Sequence, residues 1–347
     1  MKVLYIFAGE RKVQPNKTIC VDFPDSDFYG LNYLKNFGIN AEFREPNKIL
    51  RSLFGFRISH ILMYFRTFGY DLVFGPAILY LMILRKIWPN RKTKFVLLNI
   101  SLGRTVAIYK EKKLLWFIKF LLEDVDHCVC LSKFQEDFLL ENVPVLKGKT
   151  SVICLGVDTK FYKNIEKIRN GPILSVGKDD GRDYKTVFEV AKLLPEETFE
   201  VICHPRNIKK LGKIPSNVSL KFMAPITELK EKYQSAKALL LTTHNDNFNE
   251  GADCSGQTVL LEAMASGMPI IASRKKYISE YVGGQESAIL VDFYDSRQIA
   301  EKIILLKQND QMASTLSRNA CEKVNKNFST EKMAENLANL FKELNKN

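Results

Sequence analysis

Short apolar runs alternate with amphipathic stretches along the whole chain. An apolar run bounded by turn residues marks a buried strand, and apolar positions recurring every three and four residues mark a helix that covers it. In the first half the runs Val3–Phe7, Ala41–Arg44, Leu72–Phe74, Phe95–Asn99, His127–Leu131 and Ser151–Cys154 predict strands, with helices such as Phe28–Asn36 and Leu114–Leu122 between them. A second series follows Gly171-Pro172. Its strands are Ile173–Val176, Phe199–Cys203, Ser219–Phe222, Ala238–Thr242, Ile270–Ala272 and Ala288–Val291. Its helices are Lys185–Leu194, Ile226–Ser235, Val259–Ala265 and Ser296–Leu306, and a last helix runs from Ser329, a candidate N-cap, to Leu344. Strand and helix in alternation predict an α/β protein with parallel sheets. The polar, aperiodic segment 161–170 reads as a linker, so residues 1–160 and 171–347 are expected to form two doubly wound domains. Ligands of such folds bind at the carboxyl ends of the strands, and two facing halves predict a cleft where a ligand from each side meets the other.

Length and composition agree with this picture. The 347 residues suit two domains, because single cores stop growing near ~250–300 residues. Apolar residues make up 46% and charged residues 26%, which excludes a disordered, collagen-like or disulfide-scaffold chain. The seven cysteines show no zinc or disulfide spacing. Cys128 and Cys130 share one strand face, but two thiols do not close a metal site, so buried reduced thiols in a reducing compartment are expected. The opening apolar run is too short for a signal sequence, and the run Leu72–Leu84, interrupted by Pro76, falls short of the ~20 residues of a membrane span. The expected location is the cytoplasm, free or peripheral on the cytoplasmic membrane face.

Charge is unevenly placed. Of the formal net charge of +12, residues 1–160 contribute 24 Lys and Arg against 15 Asp and Glu, and the remainder 27 against 24. Such a field attracts phosphates, nucleic acid or anionic lipid. The segments 85–94 and 110–122 combine cations with Trp88, Trp116 and aliphatic residues, a composition suited to an anionic membrane surface and equally to plain helix patterning. No RNP-like, KH-like or helix-turn-helix signal accompanies them, so no nucleic-acid partner is expected.

Two stretches could carry chemistry. In Asp253-Cys-Ser-Gly-Gln-Thr258-Val-Leu-Leu-Glu262, small polar residues open a short helix. The backbone N–H groups of Ser255, Gly256, Gln257 and Thr258 suit a diphosphate, and Glu262, one turn further on, suits a vicinal diol; a capped surface helix with a solvated Glu262 fits the same residues. In Val176-Gly177-Lys178-Asp-Asp-Gly181-Arg182-Asp-Tyr184, a buried strand ends in Gly177 and a loop presents two cations that could neutralise a phosphate-bearing leaving group, or simply face solvent. There is no GxxxxGK[ST] loop and no GxGxxG after any strand.

From Val129 onward these pieces resemble the retaining family 4 glycosyltransferases of GT-B architecture, whose two facing Rossmann-like domains hold a nucleotide-sugar between them. Leu131-Ser132-Lys133-Phe134, Gly156-Val157-Asp158-Thr159-Lys160-Phe161, Gly177-Lys178 with Arg182, Ala224-Pro225-Ile226, and Leu260-Leu-Glu262-Ala-Met-Ala-Ser-Gly-Met-Pro follow the family's order and spacing. The first half resembles the family only in architecture. One departure is plain: the family's E-x7-E pattern has a Glu where Cys254 stands here.

The resemblance implies a metal-independent retaining transferase without a cofactor. It would move a sugar from a nucleotide-diphosphate donor to a hydroxyl of a carbohydrate or lipid-linked acceptor. Gly177, Pro225, Ile226, Ser255, Gly256, Gln257, Thr258 and Glu262 would hold the donor, and Lys178 and Arg182 would stabilise the departing diphosphate with Glu262 on the ribose. Glu250, upstream of Cys254, together with His204 and His244 after their strands, are candidate sugar contacts. A cleft His that the family carries is missing after strand Phe95–Asn99, so Asn99, Ser101 and Arg104, with Gly9 after the first strand, are the candidates for the acceptor side. His60 and His127 lie in apolar contexts and read as structural, and Asp25-Ser-Asp27 reads as a turn rather than a metal motif. Two other functions fit the same architecture: a sugar-nucleotide epimerase or hydrolase, and a basic, non-catalytic binding module for which Cys254 is the best support.

Overall fold

The computed structural model describes residues 1–9, 11, 23–46, 48–164, 169–246, 251 and 253–346. Each predicted strand forms, and together they make two parallel sheets of six. The first sheet contains β1 (Lys2–Ile6), β2 (Asn40–Arg44), β3 (Leu72–Gly75), β4 (Lys94–Asn99), β5 (His127–Cys130) and β6 (Thr150–Val152), in the order β2-β1-β3-β4-β5-β6. The second contains β7 (Gly171–Gly177), β8 (Phe199–Cys203), β9 (Val218–Lys221), β10 (Ala236–Leu241), β11 (Ile270–Ser273) and β12 (Ile289–Val291), in the order β12-β11-β10-β7-β8-β9.

Helices cover both. Those of the first half are α1 (Lys48–Leu62), α2 (Ile78–Ile87), α3 (Leu102–Glu111), α4 (Leu115–Leu122) and α5 (Lys133–Asn142). The second half has α6 (Tyr184–Leu193), α7 (Pro205–Ile208), α8 (Ile226–Ser235), α9 (Gln257–Ala265), α10 (Lys276–Val282), α11 (Ser296–Gln308), α12 (Asp310–Asn327) and α13 (Thr330–Lys346). No helix among the described residues is long and apolar enough to cross a membrane.

The central strands are buried on both faces, which is why they read as continuous apolar runs rather than as alternation: β1 beyond Lys2, β3 and β5 are buried throughout. Cys128 and Cys130 lie in this first core and carry free thiols. His60 is buried between the carbonyls of Phe56 (2.7 Å) and Phe7 (3.1 Å), and His127 meets the Ser151 hydroxyl at 2.6 Å, both structural placements. The helix expected over Phe28–Asn36 is replaced by 3-10 turns at Ser26–Phe28 and Leu31–Phe37, separated by Gly30. That glycine has φ 78°, and a Cβ on it would come within 2.9 Å of the Ala334 backbone. Asp25 is indeed part of a turn: its N–H donates to Asp158, and its carboxylate accepts from Thr330 at 2.6 Å.

The described residues cluster into two compact units, one from 1–19, 27–154 and 331–347, the other from 20–26 and 155–330. This differs from the sequence expectation, which placed the last helix with the second half. The reason lies on α13 itself, where Ala334, Leu337 and Phe341 are fully buried. Phe341 stands edge-on to Phe74 of β3 with ring centroids 5.3 Å apart, and Ala334 closes on Gly30. Phe341→Ala is therefore expected to cost about 3–5 kcal/mol of stability in guanidinium unfolding. The exposed neighbour Lys342→Ala should stay within about 0.5 kcal/mol of the parent. Equal stability of the two variants would show that this packing is not made.

Candidate functional site

In the second sheet β10 and β7 are neighbours, yet the chain leaves them in opposite directions, β7 toward β8 and β10 toward β11. A crevice opens at such a reversal, beyond the carboxyl ends of the two strands. β7 ends at Gly177, whose carbonyl accepts from the Tyr184 hydroxyl at 2.5 Å. The loop then doubles back against the end of β10. Arg182 bridges to Thr243, Asp183 N–H donates to Thr242 (3.2 Å), and His244 N–H donates to Gly181 (3.0 Å).

This return drives Arg182 inward until only 3% of it is exposed. One guanidinium nitrogen reaches the Ser175 hydroxyl at 3.4 Å. The other two, Nε and Nη1, have no hydrogen-bond partner among the described residues, and neither do the buried hydroxyls of Thr243 and Ser255. Burying a charge unpaired costs several kcal/mol, so proteins avoid it unless a ligand completes the set.

Glycines wall the space around these groups. A Cβ on Gly256 would lie 2.8 Å from Arg182 Nη1, one on Gly177 3.2 Å from the Arg182 side chain, and one on Gly181 2.7 Å from the Ser255 hydroxyl. Gly256, at φ 92°, turns the chain into α9. The N–H groups of Gly256 and Thr258 make no hydrogen bond among the described residues. A guanidinium, two hydroxyls and amides at a helix start form a donor-rich set, and its chemical complement is an oxygen-rich anion of phosphate type.

The other predicted residues fall in several places. Lys178 is exposed at the mouth of the loop, where its carbonyl accepts from Arg206 at 3.0 Å and Arg206 pairs with Asp180 at 2.7 Å, so the expected basic pair is one buried and one exposed cation. Gln257 is buried and donates to the Tyr281 hydroxyl at 2.6 Å, while Thr258 is exposed. Glu262 is buried, and so does not share a solvent face with Thr258; its two carboxylate oxygens accept from Tyr162 (2.9 Å) and Tyr233 (2.8 Å). Pro225 and Ile226 start α8, just after the exposed apolar pair Phe222 and Met223.

His244 packs at 6.1 Å from the Tyr294 ring beside the Gly181 loop. His204 instead caps α7 through its ring nitrogen, which accepts from Arg206 N–H at 3.2 Å. Cys254 is buried, and Glu250 lies outside the described residues. In the first unit Asn99 is buried at the end of β4 with its side-chain oxygen on Leu102 N–H (2.8 Å) and its amide nitrogen unpartnered among the described residues. Ser101 occupies the N-cap position of α3 without a side-chain capping bond and is exposed, Arg104 follows half-buried on α3, and Gly9 is exposed beyond β1.

Several residues of the site had no signal in the sequence. Thr243 and the tyrosines at 162 and 233 reach it only through long-range pairing. Tyr277 holds the Ser255 carbonyl at 2.5 Å, and desolvation raises its phenol well above the usual range. Lys275 is nearly fully buried, donates to the carbonyls of Asn245 (3.2 Å) and His244 (3.4 Å), and is pushed below the ordinary lysine pKa by burial.

Residues 206–323 match the family described as glycosyl transferases group 1. An uncharacterized glycosyltransferase of Methanocaldococcus jannaschii is 25% identical over 244 residues, 66% of this chain, and the chain spans 63% of that relative's length. Among solved structures, sucrose-phosphate synthase from Thermosynechococcus elongatus superposes with a TM-score of 0.75 at 18% identity, covering 99% of this chain and 98% of its own. Anabaena HepE in complex with UDP and glucose superposes with a TM-score of 0.71 at 16% identity, covering 99% of each chain. At these identities the likeness establishes the fold. The family match is confined to residues 206–323, and the chain carries that segment on the two-sheet GT-B fold.

Proposed function

We propose that this chain is a retaining glycosyltransferase that works without a metal ion, moving a sugar from a nucleotide-diphosphate donor to a hydroxyl of a carbohydrate or lipid-linked acceptor. The observation that carries the reading is the buried Arg182 guanidinium, with two nitrogens and the neighbouring Thr243 and Ser255 hydroxyls unpartnered among the described residues, in a space walled by Gly177, Gly181 and Gly256. A diphosphate satisfies all of them. In the reaction the bond from the anomeric carbon to the diphosphate oxygen breaks, a bond to the acceptor oxygen forms on the same face, and the acceptor proton leaves with the diphosphate. Negative charge grows on the diphosphate as its bond breaks, and a cation already fixed and desolvated at that place stabilises it with no reorganisation. Lys178, at the loop mouth, adds a solvated charge.

Glu262 takes the ribose hydroxyls in this reading. The phenols of Tyr162 and Tyr233, one on each carboxylate oxygen, fix the orientation of the group. Phe222 and Met223, exposed before Pro225, offer apolar surface to a base. UDP in the Anabaena complex supports a nucleoside diphosphate as the leaving group. Work at an anionic membrane surface belongs to the same reading, because the excess cations lie in the first half of the chain.

Arg182→Ala is expected to lower kcat/KM at least ~10²-fold with an unchanged circular-dichroism spectrum. Titration calorimetry with UDP, GDP and ADP should find one that binds the parent and is weakened in the variant. A folded, fully active Arg182→Ala protein, or a parent that binds none of them at millimolar concentration, overturns the reading. Tyr162→Phe and Tyr233→Phe each remove one phenol from Glu262, and each should raise the donor KM roughly tenfold while leaving the acceptor KM unchanged. Steady-state kinetics with donor and acceptor varied separately provide the check.

A further inference from the structure

One face of the first unit combines exposed apolar side chains with unpaired cations. Helix α1 leaves Ile49, Leu53, Phe54 and Ile58 exposed, Ile49 and Leu53 by about 70%. Phe65 and Phe68, in and after the 3-10 turn Met63–Arg66, are half exposed, and so are Ile87 and Trp88 or more at the end of α2. On α4, Trp116 is 64% and Phe120 44% exposed.

These elements adjoin one another. α2 packs against α1, the 63–66 turn and α4. Tyr64 touches Phe65 and Phe68 and donates its hydroxyl to the Trp88 carbonyl, and the Lys86 ammonium sits 4.1 Å over the Phe120 ring. Monomeric proteins rarely leave this many large apolar side chains in one region without a partner.

The charge of the same region identifies the partner. Residues 48–119 hold fourteen Lys and Arg against only Asp71 and Glu111, a net +12 equal to the formal charge of the entire chain. Arg85 and Lys86 pair with Asp126 and Glu123. Arg66, Arg91, Lys92, Lys112, Lys113 and Lys119 form no ion pair among the described residues.

We propose that this face is a membrane-docking surface that seats on an anionic lipid bilayer, with the aromatic and aliphatic side chains entering the headgroup boundary and the cations meeting lipid phosphates. The combination is what such a bilayer selects: apolar insertion and a polybasic rim, neither sufficient alone. A second protein copy carrying the same charge would be repelled at this face. The inference rests on the membrane part of the proposed function and is separable from sugar transfer, because vesicle binding needs no donor.

The chain has two tryptophans, Trp88 and Trp116, and both lie on this face. Their emission is therefore a direct readout for the full-length protein. Vesicles of phosphatidylcholine with phosphatidylglycerol should shift it to the blue and shield it from iodide, pure phosphatidylcholine should do so much less, and high salt should reverse it. In co-sedimentation, the double variant Lys92→Glu/Lys113→Glu should bind anionic vesicles at least ~10-fold less than the parent, and Lys342→Glu on α13 should bind as the parent does. Unchanged emission with anionic vesicles, or equal binding by the charge-reversed variant, overturns the proposal. So does a dimer in light scattering that shields both tryptophans without lipid.

Discussion

The second unit's site depends on where the Arg182 guanidinium is held. It is carried in by a short loop whose return is fixed by main-chain pairing with β10 at Thr242, Thr243 and His244. It stays in because the space beside it is lined by glycines, two of them, Gly177 and Gly256, at places where a Cβ would meet the Arg182 side chain. A side chain at Gly256 would strike Nη1, and a left-handed φ of 92° there would strain any other residue. Tyr184 and Tyr277 pin the two strands of backbone that face it, at the Gly177 and Ser255 carbonyls. The arrangement is thus costly in the free protein and preorganised for an anion, which is the condition under which an electrostatic site is most effective.

What the sequence made legible follows from locality. Buried parallel strands announce themselves by composition alone, and each expected strand formed with ends shifted by a few residues at most. Arg182 and the 255–258 turn were visible because glycine and small polar residues cluster there. The unequal fates of Lys178 and Arg182 were not, because they differ only in which way a four-residue loop turns after Gly177. Nor was the partnership of Glu262 with Tyr162 and Tyr233, residues 100 and 29 positions away, since nothing local distinguishes a phenol that donates to a carboxylate from one that packs. The last helix shows the same limit. Its apolar stripe predicted a buried face, and only the tertiary structure could say that Phe74 and Gly30 lie beneath it.

The excess positive charge that set the sequence apart performs two physically different tasks in the proposed function. At Arg182 one charge, almost fully desolvated, acts at close range in a medium where two unit charges 4 Å apart interact by about 4 kcal/mol at an effective dielectric of 20, against about 1 kcal/mol in water. Along residues 48–119 many exposed charges act together, each weak and screened by salt, and their sum is what a charged surface rather than a single anion responds to. Exchanging the tasks would fail on both sides. A solvated cluster around the diphosphate would stabilise substrate and transition state almost equally, and so would raise affinity without raising the rate. A buried cation on the outer face could not reach a bilayer at all. The separation of one desolvated charge from a broad solvated field therefore follows from the two dielectrics in which the charges must work, and the even-looking count of Lys and Arg along the chain conceals it.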